Sequence, residues 1–264
     1  MDVRNRVGIH ALGLLVVMLS VGVTAQSDRA AAVLASARAS LGGEARIAGV
    51  KTLIANGRTR QIRGNNLIPI EFEIQAELPD RYSRRDEVPA QDTAPSLSGF
   101  NGDTLILVPP LPAQQAGAAA DRVITAKQEF ARLLLGMFAT SVESFPLVFV
   151  YAGQAEAPQG KADVLDVTGP ANFMARLFID SQTHLPLMLS WQAPPAPMRG
   201  GGPPAASSPA VEQRMYFADH RNVDGHQLPF RIRRASGAET TEETTFDRFR
   251  INARVDARRF QSGG

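Results

Sequence analysis

The segment from Tyr216 to Arg234 constrains the fold of this chain more than any other part of its sequence. Apolar residues stand at alternate positions in two runs, one on each side of the stretch Asn222 to Gly225. Asp-Gly between two alternating runs is a strong hairpin signal, because glycine adopts a positive φ at no steric cost. The segment therefore predicts an antiparallel β-hairpin with one polar face. Its apolar face is predicted to carry Met215, Phe217, Leu228, Phe230 and Ile232.

The same alternation recurs along the chain and predicts about eleven strands in meander order. It is clearest at 70–77, where apolar residues alternate with Glu and Gln. An amphipathic helix is predicted over 28–41, and one strong internal helix over 123–138. Together these elements predict a mainly β (α+β) protein with a single domain after the N-terminal segment. The other predicted strands lie at 51–62, 81–88, 98–108 (as a hairpin), 145–151, 162–168, 173–179, 185–191, 211–221, 226–235 and 240–252.

The first 25 residues have the three-part pattern of a cleavable signal peptide. Arg4 and Arg6 precede an apolar run at 11–23, and small residues stand at Val23-Thr24-Ala25. The alternative is an anchor in the inner membrane, since 7–27 contains no charged residue. We favour cleavage, because the apolar core is short and the small-residue site is well formed. We therefore expect export to the periplasm and a mature domain at 26–264.

Composition limits the kinds of partner and chemistry. The formal net charge is +2, and the basic residues are interspersed with acidic ones, which argues against a nucleic-acid partner. The chain has no cysteine, so disulfides and thiol catalysis are excluded. Residues 193–210 consist largely of Pro, Gly, Ala and Ser. We interpret this stretch as a disordered loop inserted between adjacent strands.

No catalytic signature stands in the sequence, so we expect a protein that is not an enzyme and needs no cofactor. The sequence contains neither the GxSxG motif of serine hydrolases nor the HExxH motif of zinc proteases. It also lacks the GxGxxG motif of dinucleotide-binding folds and the phosphate-binding loop of nucleotide hydrolases. His220 and His226, with Asp219 and Asp224, offer donors that zinc accepts. We favour a second interpretation, in which both histidines are exposed polar residues at the end of the hairpin, and we predict no metal site.

The internal helix carries more apolar residues than one buried stripe needs. One interpretation is packing against a sheet. The other is a helix that covers the mouth of a curved sheet, where its apolar face lines a cavity for acyl chains. For the second interpretation, the predicted cavity residues are Phe72, Ile74, Leu105, Leu107, Phe130, Leu134, Met137, Phe138, Phe145, Phe149, Phe217 and Phe230.

A set of short motifs follows one another along almost the whole mature chain. They are Leu41-Gly42-Gly43 with the strand start at Val50, Leu78-Pro79-Asp80-Arg81-Tyr82, Gly99 to Leu105, Leu177 to Pro186, the hairpin described above, and Ile251 to Phe260. In this order the motifs resemble the outer-membrane lipoprotein carrier family, the LolA-like proteins. That family also includes lipoprotein receptors and envelope-stress sensors.

The resemblance implies a strongly curved, unclosed antiparallel β-barrel with helices capping its concave apolar face. It implies an exported binding protein that holds lipid or lipoprotein acyl chains and takes part in transport to the outer membrane. The alternative is a periplasmic interaction or stress-sensor module with an envelope protein partner. Arg58 and Arg60 are candidates for the arginine with which the carriers hold their lid. We expect a monomer.

Overall fold

The period-two alternation produces one antiparallel sheet of twelve strands within the residues that the computed structural model describes, 14–63, 66–157, 160–193 and 210–261. The strands are β1 Thr52–Arg63, β2 Asn66–Glu77, β3 Arg81–Glu87, β4 Ser96–Asn101, β5 Thr104–Val108, β6 Val148–Ala157, β7 Gly160–Gly169, β8 Phe173–Asp180, β9 Pro186–Ala193, β10 Val211–Val223, β11 His226–Ser236 and β12 Glu239–Ile251. Their order is β5-β4-β3-β2-β1-β12-β11-β10-β9-β8-β7-β6. Consecutive strands pair, and β1 joins β12, so β5 and β6 are the two edges. The sheet is open, as predicted, with one strand more than the approximate count.

Three α-helices accompany the sheet in the described part of the chain: α1 Leu14–Ser40, α2 Glu44–Ala48 and α3 Ala119–Phe138. Short 3₁₀ turns lie at Ala113–Ala118 and Ala257–Phe260. Helix α1 begins well before the predicted start, because no proline or charged residue interrupts the sequence between Leu14 and Gln26. Within the described ranges, no helix is both long enough and apolar enough to cross a bilayer.

The hairpin predicted from the opening segment is confirmed. Strands β10 and β11 pair around Asp224 and Gly225, whose φ values are 51° and 85°. Two successive positive φ values form the tight turn whose twist matches the flanking strands. Phe217 lies opposite Ile232, and both side chains are buried.

Helix α3 packs on one face of the sheet, which we call the inner face. Antiparallel partners place their side chains on the same face, so the register assigns each residue to the inner or the opposite, outer face. Gly136 of α3 allows close approach, because a Cβ there would lie 2.0 Å from the ring of Phe217. Shifts of register between Asn56 and Gly57 of β1 and between Tyr151 and Gly153 of β6 add local bends to the sheet.

Several predicted boundaries differ from the observed ones. Strand β6 begins at Val148 and not at residue 145, because Pro146 has no N–H to donate to a ladder. Helix α3 begins at Ala119, four residues before its predicted start, and follows the first 3₁₀ turn directly. Most of the predicted inserted loop, and the first half of the predicted signal peptide, lie outside the described residues.

Candidate functional site

The predicted cavity residues come together on the inner face, beneath and along α3. Nine of them are each at most 7% exposed: Phe72, Ile74, Phe130, Leu134, Met137, Phe138, Phe145, Phe217 and Phe230. Leu105, Leu107 and Phe149 are half-buried. The packing interpretation of α3 therefore describes this structure, and the role of these side chains in holding a ligand stays a prediction.

Contacts between aromatic rings show how tightly this inner space is packed. The ring of Phe130 lies 4.7 Å from Tyr82 and 5.9 Å from Phe100. At the other end of the sheet, Phe145 and Phe173 meet edge to face at 5.6 Å. Ring pairs at these separations stabilise the fold beyond the apolar area that they bury. A ligand that enters at either place would have to separate these rings.

A charged cluster joins α3 to the inner face. Glu129 of α3 accepts hydrogen bonds from Arg132 at 2.6 Å and from Arg234 of β11 at 2.7 Å. Arg234 also lies 3.7 Å from Glu242 of β12. The guanidinium of Arg132 stacks over Trp191 at 4.3 Å. These contacts tie the helix to β11 and β9, and Arg234 in turn links β11 to β12.

The protonation states of this cluster fit a structural ion-pair network. Burial pushes the pKa of Glu129 upward, but Arg234 and Arg132 outweigh burial and hold the pKa below its ordinary value. Burial also raises the pKa of the neighbouring Tyr82 to about 12. Glu129 is thus a carboxylate and Tyr82 a neutral phenol near pH 7. Neither group titrates near neutrality, where a general acid or base would act.

An open groove lies on the outer face, on the side of the sheet away from α3. Its volume is about 800 Å³. The floor is built from a cross-strand row in which each residue pairs with the next: Pro69, Arg60, Glu243, Arg233, Tyr216, Met188 and Phe178. At the usual spacing of about 4.8 Å between strands, this row covers roughly 29 Å of sheet. A second row runs beside it, formed by Arg58, Thr245, Arg231 and Ala218.

The groove is polar at one end and apolar at the other. Four arginines lie on β1 and β11, whereas Phe178 lies on β8, and Leu187 and Met188 lie on β9. Tyr216 stands between the two ends, with the guanidinium of Arg233 stacked on its ring at 4.1 Å. The acidic lining residues are Glu156, Glu243 and Asp247. Such a lining suits a ligand that has both a hydrocarbon and an anionic part.

The two arginines predicted to hold a lid lie elsewhere. Arg58 and Arg60 are exposed on the outer face, opposite Thr245 and Glu243, because they alternate with the buried inner residues of β1. They lie on the face of the sheet away from α3, so this prediction is wrong. Arg234 contacts α3 instead, and Arg38 donates to the carbonyl oxygen of Ala139, directly after the end of α3, at 3.0 Å.

The expectation of two exposed histidines is also wrong. His226 is 5% exposed, and its ring meets Phe138 edge to face at 6.1 Å. His220 is half-buried, and burial lowers its pKa although Asp219 opposes the shift. Among the described residues, no group of three or more His, Asp or Glu side chains is placed to hold a metal ion.

Sequence reasoning missed both the charged cluster and the groove, although the pattern contained a signal for the first. Arg234 continues the alternation of Leu228, Phe230 and Ile232, so an arginine occupies a position that the pattern assigns to the apolar face. An inward arginine requires a partner, which Glu129 provides. The groove residues gave no such signal, because alternating charged residues are typical of any solvated face.

Comparison with known proteins bears on the fold. No family model matches the chain, and no curated protein matches it. A LolA superfamily protein from Nitrosomonas europaea is similar in structure, with a TM-score of 0.55 and 11% identity, over 88% of this chain and 97% of that one. A putative outer membrane lipoprotein-sorting protein domain from Vibrio parahaemolyticus has a TM-score of 0.52 and 8% identity, over 89% of this chain and 97% of that one. The resemblance predicted from the motifs is confirmed at the level of the fold: the chain has the LolA-like fold.

Proposed function

We propose that this chain is an exported periplasmic protein that binds the acyl chains of a lipid or lipoprotein, and that it holds them in the outer-face groove. The observation that supports this most is the groove itself, with a volume of about 800 Å³ and an apolar end on β8 to β10. Ligand sites in proteins occupy about 300 to 1,000 Å³. The groove therefore has the size of a site for one lipid.

Burial of hydrocarbon would drive the binding. Each methylene group that leaves water contributes about 0.8 kcal/mol, so a chain along Phe178, Met188 and Tyr216 gains affinity without any catalytic group. Methionine and leucine adapt to flexible chains because they impose little shape. The fold is consistent with this role, since the similar domain from Vibrio parahaemolyticus is described as a putative lipoprotein-sorting domain.

A matched pair of variants tests the proposal. Met188 lines the groove, whereas Met174 lies on the same outer face, is 66% exposed and is outside the groove. We expect Met188→Asp to lower the affinity for a fluorescent fatty-acid probe about tenfold or more, since it places a charge in the apolar end. Met174→Asp should bind the probe as the parent does.

Two outcomes would contradict the proposal. The first is a purified mature protein that carries no lipid by mass spectrometry and does not bind the probe. The second is a probe that both aspartate variants bind as tightly as the parent does. If binding were lost only when Leu134 of α3 is changed to Ala, the ligand would lie on the inner face, as the twelve cavity residues predict.

A second function, docking of an envelope protein partner, is favoured by one observation. Val148 on the edge strand β6 is 62% exposed, and Met174 is 66% exposed in the same cross-strand row, with Thr168 between them. Exposed apolar neighbours on the last strands of a sheet are typical of protein-binding surfaces. In cross-linking experiments on envelope extract, a partner at this edge would be lost in Met174→Asp and retained in Met188→Asp, the reverse of the lipid result.

A further inference from the structure

We infer that the polar end of the groove recognises the oxyanion headgroup of an anionic amphiphile, a phosphate or a carboxylate, through Arg60 and Arg231. This inference rests on the proposed lipid-binding function and deepens it, because it names the chemical class of the ligand and its orientation in the groove. The hydrocarbon lies toward β8 and β9, and the headgroup lies over β1 and β11.

The inference rests on which of the four groove arginines already have a hydrogen-bond or ion-pair partner. Arg58 forms an ion pair with Asp247 at 3.6 Å. Arg233 is stacked on Tyr216 and donates to Thr240 at 3.4 Å. Within the described part of the chain, Arg60 and Arg231 have neither a hydrogen bond nor an ion pair, and both are exposed. The charge of Asp219 acts on Arg231, but the carboxylate of Asp219 is already hydrogen-bonded by Arg221. The N–H donors of Arg60 and Arg231 are therefore available to a ligand.

The positions of Arg60 and Arg231 fit one small headgroup. Arg60 lies in the first cross-strand row of the groove and Arg231 in the second, on strands β1 and β11 that flank β12. The two strands are separated by about 9.6 Å, twice the usual interstrand spacing. Their partners on β12, Glu243 and Thr245, are two residues apart, which adds about 7 Å along the strand, so the two side chains start about 12 Å apart. Two long arginine side chains that start at this separation reach a common point above β12. A guanidinium group donates two parallel hydrogen bonds to a carboxylate or a phosphate, so this pair offers four donors.

The acidic lining residues do not cancel this charge. Asp247 is already paired with Arg58. Glu243 lies between Arg60 and Arg233 in the first row, so two cations flank one carboxylate. Glu156 lies on β6, which is separated from β11 by β10, β9, β8 and β7 in the order of the sheet. With four arginines against three carboxylates, the lining has a net charge of +1, and its positive part is concentrated at one end.

Tyr216 marks the junction between the two parts of the ligand. Tyr216 is the cross-strand partner of Met188 on β9 and of Arg233 on β11. A half-buried aromatic ring in this position contacts the first methylene groups of a chain, and Arg233 stacked on it holds a positive charge beside the headgroup. Along this row the lining therefore changes in the same order as an amphiphile does. Phe178 and Met188 would contact the hydrocarbon chain, Tyr216 its junction with the headgroup, and Arg233 the headgroup side.

Four probes of matched chemistry test the inference, each used below its micelle concentration. They are dodecyl phosphate, dodecyl maltoside, dodecyltrimethylammonium and inorganic phosphate. We expect the parent chain to bind dodecyl phosphate about tenfold or more tightly than the two other amphiphiles, and to bind inorganic phosphate much more weakly. Added salt should weaken the binding of dodecyl phosphate and leave that of dodecyl maltoside nearly unchanged, because exposed charges are screened.

Substitutions locate the headgroup. The double variant Arg60→Gln and Arg231→Gln should remove the preference for dodecyl phosphate while retaining the affinity for dodecyl maltoside. Arg254→Gln together with Arg122→Gln removes the same charge from exposed positions outside the groove, and this control should keep the preference.

The failure of this inference and that of the proposed function give different results. Equal affinity of the parent for the phosphate and maltoside amphiphiles overturns the headgroup assignment and leaves the lipid-binding function intact. The same holds if the control variant loses the preference as fully as the groove variant does, or if inorganic phosphate binds as tightly as dodecyl phosphate. If none of the amphiphiles binds, the proposed function fails, and the headgroup assignment fails with it.

Discussion

Arg234 of β11 and Glu129 of α3 are 105 residues apart in sequence, and their side chains meet at 2.7 Å between the helix and the inner face of the sheet. Glu129 also accepts from Arg132, one turn further along α3. The pair therefore holds α3 against β11 at one point, and apolar contacts hold the remainder of the helix against the sheet. Because it lies at the inner face, its contribution to stability is expected to exceed that of an exposed ion pair.

The first prediction concerns this ion pair. Glu129→Gln and Arg234→Gln should each lower the free energy of unfolding by about 1 to 2 kcal/mol, since each leaves a partly buried partner without its counter-charge. A double-mutant cycle measured by urea denaturation should give a coupling energy of about 1 kcal/mol. The control is the exposed pair Arg58 and Asp247, for which the same cycle should give no more than about 0.5 kcal/mol. Equal coupling in the two cycles would contradict the structural role assigned to Glu129.

The second prediction concerns pH. The pKa of Glu129 is lowered in the folded chain relative to its ordinary value of 4.5, so the unfolded chain binds a proton at this site more readily. The stabilisation is therefore fully present above about pH 4.5, and it is lost as the pH falls through the lower pKa of the folded state. Urea denaturation between pH 7 and pH 3 should show a steeper loss of stability in the parent than in Glu129→Gln. Identical pH profiles would be inconsistent with a depressed pKa at this site.

The sequence predicts the strands of this fold better than it predicts the site. Asp224 and Gly225 determine a hairpin by local backbone conformation alone, and the structure agrees. The apolar pattern predicts that β6 starts at residue 145, three residues too early, because the pattern continues through Pro146. Proline has no backbone N–H to donate to the neighbouring strand. Local chemistry thus predicts turns and alternation, and it misses the places where a single residue ends a ladder.

The groove depends on which strands become neighbours in the sheet, and the pairing of strands far apart in the chain cannot be predicted from the pattern within each strand. Arg60 and Tyr216 are far apart in the chain, and they share a row only because β1 pairs with β12, β12 with β11 and β11 with β10. Each residue alone resembles an ordinary polar position on a solvated face. The apolar residues beneath α3, in contrast, were predicted because burial leaves a periodic pattern within each strand.

The third prediction tests the close approach between α3 and the sheet. A Cβ at Gly136 would lie 2.0 Å from two ring atoms of Phe217, so Gly136→Ala should lower the free energy of unfolding by about 1 to 3 kcal/mol. This loss occurs although alanine favours the helix by about 1 kcal/mol over glycine. Gly117→Ala is the control, since no atom lies within 4 Å of the added Cβ. Adding Phe217→Leu to Gly136→Ala should recover part of the loss, and a Gly136→Ala chain as stable as the parent would show that the helix does not approach so closely.

The last prediction concerns the buried imidazole of His226. Its side chain is 5% exposed and packs against Phe138, and among the residues that the structure describes neither ring nitrogen has a hydrogen-bond partner. A buried polar group without a partner costs about 1 to 3 kcal/mol, so an apolar side chain of similar size removes that cost. His226→Leu should therefore raise the free energy of unfolding at pH 7.5 by about 1 kcal/mol, measured by urea denaturation. His226→Gln, which keeps a polar group at the same position, should give no such gain. A loss of stability in the leucine variant would show that the imidazole is hydrogen-bonded in solution.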